Sequence, residues 1–326
     1  MTSPKDRPDE TCPDYILRVT HEIWEERQVH TLRQTYSDDV IVRTPASVIV
    51  GNEPVIAATL ATLAEFPDRQ LLGQDVIWCD DADGTGWMSS HRILSTATHA
   101  SGGAYGPGTG KPLQYHVIGD CAVRDGVIYD EWLIRDQGSI VRQLGLDPQA
   151  YARDLIAREG GPEACVAPLT MANQTPGRYP GHAAPGEPGD RYAAMLRDMM
   201  SGAMSRIASD YDRAVECWLP GGTIGHGIGA AERFWMGLRA AFPSAEFQVE
   251  HVIGRVDPGD RPRAACRWTL KGRHDGWGAF GTPTSADVYL LGISHAEFGP
   301  RGLAREFVLI DETAIWKQIA LQTGQV

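Results

Sequence analysis

The chain repeats itself at a long period. "YDEWLIRDQGSIVRQLG" (Tyr129 to Gly145) returns as "AREFVLIDETAIWKQI" (Ala304 to Ile319). Glu131, Trp132, Asp136 and Gln143 match Glu306, Phe307, Asp311 and Gln318, all at an offset of 175. The same offset carries Arg92 onto Arg267, His99 onto His274, and "GAYG" (Gly103 to Gly106) onto "GAFG" (Gly278 to Gly281). Upstream, Phe66-Pro67 falls on Phe242-Pro243 at an offset of 176, and before that the register drifts. A period this long is not a solenoid unit but a duplicated domain. The 326 residues hold two domains of roughly 150 residues each.

Between the copies lies "REGGPEACVAPLTMANQTPGRYPGHAAPGEPGD", rich in Gly and Pro and without a sustained period, which reads as an extended connector. The expected units are therefore residues 10–157 and 190–326, joined by a linker over 158–189. Each opens with a helical stretch: "DYILRVTHEIWEERQVHTLRQTY" in the first, and "RYAAMLRDMMSGAMSRIASDYDRAVECW" in the second. A short strand follows ("VIVR" and "TIGH"), then a helix that must stop at Pro67 or Pro243. Three or four strands and a short helix or tail complete the unit. Helices followed by hairpin-connected strands predict an α+β fold, with an antiparallel sheet covered on one face by helices.

A formal charge of −12, with Lys and Arg scattered, argues against nucleic-acid partners and anionic membrane surfaces. No apolar run is long enough for a bilayer, and the N-terminal "MTSPKDRPDETCPD" has no apolar signal core, so the expectation is a cytoplasmic protein. The six cysteines form no C-x-x-C pair and read as free thiols. No H-x-x-x-H or cysteine set suggests a metal site.

Strand alternation puts Trp132, Ile134 and Asp136 on one face, with Phe307, Leu309 and Asp311 in the copy. An aspartate ending an aromatic–aliphatic face is expected at the mouth or bottom of an apolar cavity, where desolvation raises its pKa into the range of proton exchange. Each aspartate also precedes a helical stretch, and the local pattern by itself favours an N-cap.

The segment "GAYGPGTGKPLQYHVIGDCAVRDGVIYDEWLIRDQGSIVRQLG" resembles the C-terminal half of SnoaL-like polyketide cyclases. The features are "THASGG", a Gly/Pro turn with "TGK", strands joined at "RDG", and an acidic–Trp–x3–Asp block ending in "QLG". The second half matches more loosely, through "GRHDGWGAFGTPTS" and "REFVLIDETAIWKQI". The resemblance implies two tandem cone-shaped domains, each a curved antiparallel sheet wrapped by about three helices around a pocket. It also implies cofactor-free acid–base chemistry, in which an aspartate on the last strand moves protons during an aldol closure. Asp136 and Asp311 are the matching positions. Domains of this fold pair through their sheets, so a tandem chain would form an internal pseudo-dimer, as a monomer or a further homodimer.

The family often carries a histidine on the first short strand. The second half keeps His226 in "TIGHG", which would pair with Asp311, whereas the first has Arg43 in "VIVRTP". An arginine beside Asp136 would hold it ionised or anchor a ligand carboxylate or phosphate. Arg92, His99, Arg267 and His274 are further candidates for substrate contacts, and Trp132 and Trp268 for pocket walls suited to a flat substrate. The glycine-rich "GAYGPGTGKP" and "GGTIGHGIG" lack nucleotide-loop spacing and read as turns. The expected function is a cofactor-independent cyclase or isomerase acting on a small carbonyl or ester compound in one of two diverged pockets. An epoxide or lactone hydrolase, needing a second carboxylate and an arginine to activate water, and a non-catalytic ligand-binding or scaffold protein are the alternatives.

Overall fold

The repeat in the sequence is a repeat in sheet order. The computed structural model describes residues 10–179 and 186–325; the polar N-terminal stretch before Glu10 and linker positions 180–185 lie outside the described residues. In the first unit the elements are α1 (Cys12–Trp24), α2 (Leu32–Thr35), β1 (Tyr36–Thr44), β2 (Ser47–Val50), α3 (Asn52–Glu65) and β3 (Gln70–Asp80). They continue with β4 (Gly86–Thr98), β5 (Pro112–Arg124), β6 (Val127–Arg135), α4 (Gln137–Leu144) and α5 (Pro148–Arg158). The second unit runs α6 (Glu187–Met200), α7 (Ser205–Asp210), β7 (Tyr211–Leu219), β8 (Thr223–His226), α8 (Ile228–Ala241) and β9 (Glu246–Arg255). Then come β10 (Arg263–Arg273), β11 (Asp287–Gly299), β12 (Gly302–Ile310) and α9 (Glu312–Thr323).

The two six-stranded sheets have the same order, β2-β1-β6-β5-β4-β3 and β8-β7-β12-β11-β10-β9. The fold is α+β, and the sheets are antiparallel except where β1 meets β6 and β7 meets β12 in parallel. Those strands are the first and last of each unit, so no hairpin dictates their relative direction. In α1, Pro13 opens the helix and Tyr15, Ile16, Val19 and Ile23 form its buried stripe. Both α3 and α8 end at the Phe-Pro pairs, as the prolines require.

Two expected boundaries move. The opening helical stretch of the first unit stops at Trp24 and resumes only as the short α2, with Tyr36 already in β1. The first helical stretch of the second unit does not run to Trp218, because Tyr211–Leu219 is strand β7. β7 is therefore the mate of β1, and β8 the mate of β2. By register Arg43 lies beside Trp132 and Trp218 beside Phe307, so Trp218, not His226, is the counterpart of Arg43.

The units pack through the outer faces of their sheets. Ile118, Trp132, Ile134, Leu291, Ile293 and Leu309 form one apolar cluster across the junction. Ser90 bonds His295 at 2.7 Å, and Arg267 donates to Asp120 at 3.0 Å. The chain thus builds an internal pseudo-dimer with both faces of each sheet covered.

Candidate functional site: a cavity in the first unit

Because Trp132 and Ile134 point into the junction, Glu131, Leu133 and Arg135 point the other way, into a cavity of about 300 Å³ in the first unit. This reverses the expected facing of β6. The cavity lies between α1, α3 and the concave side of the sheet, with walls that include Ile16, Val19, Trp24, Val55, Ile93 and Val117.

Its polar groups converge from different strands. Burial pushes the Glu131 carboxyl up to about 7, opposed by a hydrogen bond from Tyr36 and aided by the Asp130 charge. Arg69 reaches in below Trp24, its guanidinium 4.3 Å from that ring, and Nε donates to Ser95 Oγ at 3.1 Å. Burial lowers its pKa to about 10, which leaves it cationic at neutral pH. Burial also works against the charge of Arg135, and the Tyr115 and Tyr105 hydroxyls and the Asp311 carboxylate more than restore it. Burial holds His91 neutral by lowering its pKa to about 4. Arg69, His91 and Arg135 each keep one buried nitrogen without a partner among the described residues. Unmet buried nitrogens cost free energy unless a hydrogen-bond partner arrives, and here they line a space that can hold one.

The two aspartates are caps with different second roles. Asp136 caps α4 through Ser139 N–H at 3.0 Å and reaches across the junction to Gly221 N–H (2.9 Å) and Gly222 N–H (3.0 Å). Both glycines have positive φ, which turns successive N–H groups toward one anion. Asp311 caps α9 with one oxygen, Oδ1, which takes Thr313 N–H (2.9 Å), Thr313 Oγ1–H (2.7 Å) and Ala314 N–H (3.1 Å). The matching turn in the first unit, Pro45-Ala46, is one residue shorter than Pro220-Gly221-Gly222 and has no glycine pair to present. Asp311 instead lines the first unit's cavity, with burial raising its pKa to about 6. The second unit thus lends a carboxylate to the first.

In the second unit the corresponding space is occupied. Trp235 stands where α3 has Thr59, and Trp268 where β4 has Ile93. The two indoles pack at 5.8 Å, with Phe247 5.5 Å from Trp268. Glu306, the twin of Glu131, accepts from Tyr192 and Tyr211 (2.8 Å each) and from Trp235 Nε1 (3.3 Å). Trp268 is therefore core rather than a pocket wall. Tyr192, Tyr211 and Trp235 saturate the second glutamate, whereas Glu131 keeps room beside it.

The remaining candidates are dispersed. Arg43 is fully buried but on the opposite face from the cavity; it pairs with Asp130 and donates to the Thr175 and Pro176 carbonyls of the linker. Arg267 is held by Asp120 and the Tyr179 hydroxyl, and stacks on Trp132 at 4.4 Å. His99 bonds Thr109 (3.1 Å) and Glu65 (3.2 Å), and His274 bonds Thr284 (3.1 Å), so both fasten the Gly/Pro loops. His226 is exposed and paired in register with Glu216. Glu216 lies beside Arg305, six residues along the chain from Asp311, roughly 20 Å at 3.3 Å per residue. His226 and Asp311 are not brought together. Arg92 lies in a cleft between the units. Among the described residues, no cluster of three or more His, Cys, Asp or Glu side chains is arranged to hold a metal, and no helix is long and apolar enough to cross a membrane.

Residues 15–144, the whole cavity-bearing sheet and the helices over it, match the family model of SnoaL-like polyketide cyclases. The first unit belongs to the SnoaL-like polyketide cyclase family. No curated protein sequence matches the chain. Among solved structures, IdmH from Streptomyces antibioticus is similar at 23% identity, covering 42% of this chain and 100% of its own, with a TM-score of 0.37. A SnoaL-like polyketide cyclase from Agrobacterium tumefaciens is 18% identical, covering 44% of this chain and 100% of its own, with a TM-score of 0.33. TsrD from Streptomyces laurentii is 18% identical over 42% of this chain and 98% of its own, with a TM-score of 0.36. Within this SnoaL-like unit, Glu131 is the titratable group that sequence reasoning passed over. A signal was present: the acid is kept in both copies, at Glu131 and Glu306, on the strand face opposite Trp132 and Phe307.

Proposed function

We propose that the first unit is a cofactor-independent acid–base enzyme of the cyclase or isomerase type, acting on a small, partly apolar carbonyl or ester compound. The observation that carries this reading is Glu131: a buried carboxyl with its pKa near 7, in an apolar cavity that also holds two cations. Such a group exchanges protons near neutral pH, where general acid–base catalysis is most effective. In the ionised form Glu131 takes a proton from the carbon next to a substrate carbonyl. The enolate oxygen accepts from Arg69 or Arg135, whose attraction for it is stronger in the dry surroundings than in water. The enolate carbon then bonds to a second carbonyl carbon of the same molecule. The proton on Glu131 passes to the new alkoxide, so a carbon–carbon bond forms and no atom is gained or lost.

A hydrolase is the second reading, because Glu131, Arg135 and Asp311 put two carboxylates and an arginine on one cavity. Two experiments test these assignments. Turnover of aromatic polyketide esters, lactones and epoxides in labelled water decides between them: a cyclisation product carries no solvent oxygen, a hydrolysis product carries one. Thr59→Trp copies into the first unit the residue that fills the second. It is expected to abolish turnover without lowering the melting temperature. Undiminished turnover in that variant would remove the first cavity as the site.

A further inference from the structure

The junction contains two equivalent places, and the chain has only one linker. At the first place the linker fills the gap: Leu169 is buried among Trp132, Ile134, Leu291 and Ile293. Further along, Thr175 and Pro176 hold Arg43, and Tyr179 gives its hydroxyl oxygen to Arg267 Nη1 at 2.7 Å. The repeat generates the second place, where Phe307, Leu309, His116 and Ile118 take those four positions. Among the described residues no second segment of that kind reaches it, and a cleft of about 390 Å³ stands open there.

The cleft carries a built recognition surface. Phe307 and Trp218 are stacked, with ring centroids 5.7 Å apart and 12° between planes, and His116 meets both edge-on. The Arg92 guanidinium covers the Phe307 ring at 3.7 Å. Arg92 is only 4% exposed, and Nη2 donates to Glu297 at 3.1 Å. Its Nε and Nη1 have no partner among the described residues. In Arg267, the twin, Nη1 serves both Asp120 and Tyr179. What the open place lacks is what the linker brings to its twin: an apolar group and an acceptor oxygen.

We propose that this cleft is a second ligand site, which takes a planar aromatic molecule carrying a carboxylate or phenol oxygen, the ring against Phe307 and Trp218 and the oxygen on Arg92. It is separate from the catalytic cavity. Along β4, His91 and Ile93 face the cavity, whereas Arg92 and Leu94 face the cleft. The site is independent of the reaction proposed for Glu131.

The test is calorimetric titration of 2-naphthoate, and in parallel 2-naphthol, into the full chain carrying Thr59→Trp, so that the first cavity is filled. One saturable equivalent is expected. Adding Ile224→Trp, at a rim position 49% exposed, should remove it. Adding Arg92→Met should weaken naphthoate by at least about tenfold, the value of one charge-assisted hydrogen bond. The same Ile224→Trp change in the otherwise unaltered chain should remove the same binding event, a control that does not depend on Thr59→Trp folding well. No saturable binding of either probe, or binding undiminished by both cleft substitutions, would overturn the proposal.

Discussion

Glu131→Gln is expected to lower kcat by about 10²- to 10⁴-fold with KM little changed, the range for loss of a general acid–base group. The substitution keeps shape and burial and removes only the exchangeable proton. The base form is required, so kcat/KM in the unaltered chain should rise with pH through about 7 and level off above it. In Glu131→Gln that limb should be absent. Steady-state rates from pH 5 to 9 check both points, and a full-rate variant would end the assignment.

The same residue carries a stability signature with a definite sign. Its folded-state pKa is raised from 4.5 to about 7, mainly by burial. The neutral carboxyl is therefore the form the fold favours. Stability is fully present below the unfolded pKa and is lost as pH rises through 7. Glu131→Gln mimics the neutral form at all pH values. It should match the unaltered chain near pH 4 and exceed it by up to about 3 kcal/mol at pH 8, at 1.36 kcal/mol per unit. Chemical denaturation at the two pH values reads this directly. A residue whose removal costs activity and gains stability is placed there for function.

The duplication, the order of elements and the Phe-Pro helix ends were legible because each is written in local residues. The facing of β6 was not. Alternation separates Trp132 and Ile134 from Glu131, Leu133 and Arg135, but it cannot say which set faces inward when both sides of the sheet are covered. An aromatic face suggested the cavity, yet it is the face that packs on the other unit. Reading β7 as helix displaced the next comparison, so His226 was set against Arg43 when the true counterpart is Trp218. The occupied second cavity was encoded in two exchanges, Thr59 to Trp235 and Ile93 to Trp268, that became meaningful once register was fixed.

Asp136 and Asp311 should separate cleanly in a stability measurement, although the repeat makes them equals. Asp136→Ala removes the acceptor for three backbone N–H groups, two of them from the other unit. Loss of the cap costs about 1 kcal/mol, and each orphaned N–H adds to it, for a total of about 3 kcal/mol. Asp136→Asn should fall between, since the Oδ2 side would present a donor to Gly222 N–H. Asp311→Ala loses a cap within its own unit and should cost about 1 kcal/mol. Denaturation at pH 7 ranks the three. The physical difference is the turn opposite each aspartate: Pro220-Gly221-Gly222 supplies two N–H groups, whereas Pro45-Ala46 is one residue shorter and has no glycine pair. That difference in the turns ties down Asp136 as a clamp between the units and leaves Asp311 facing the cavity beside Arg135. Equal losses at the two positions would mean that the turns do not set the asymmetry, and with it would go the case for Asp311 as the carboxylate lent to the first unit.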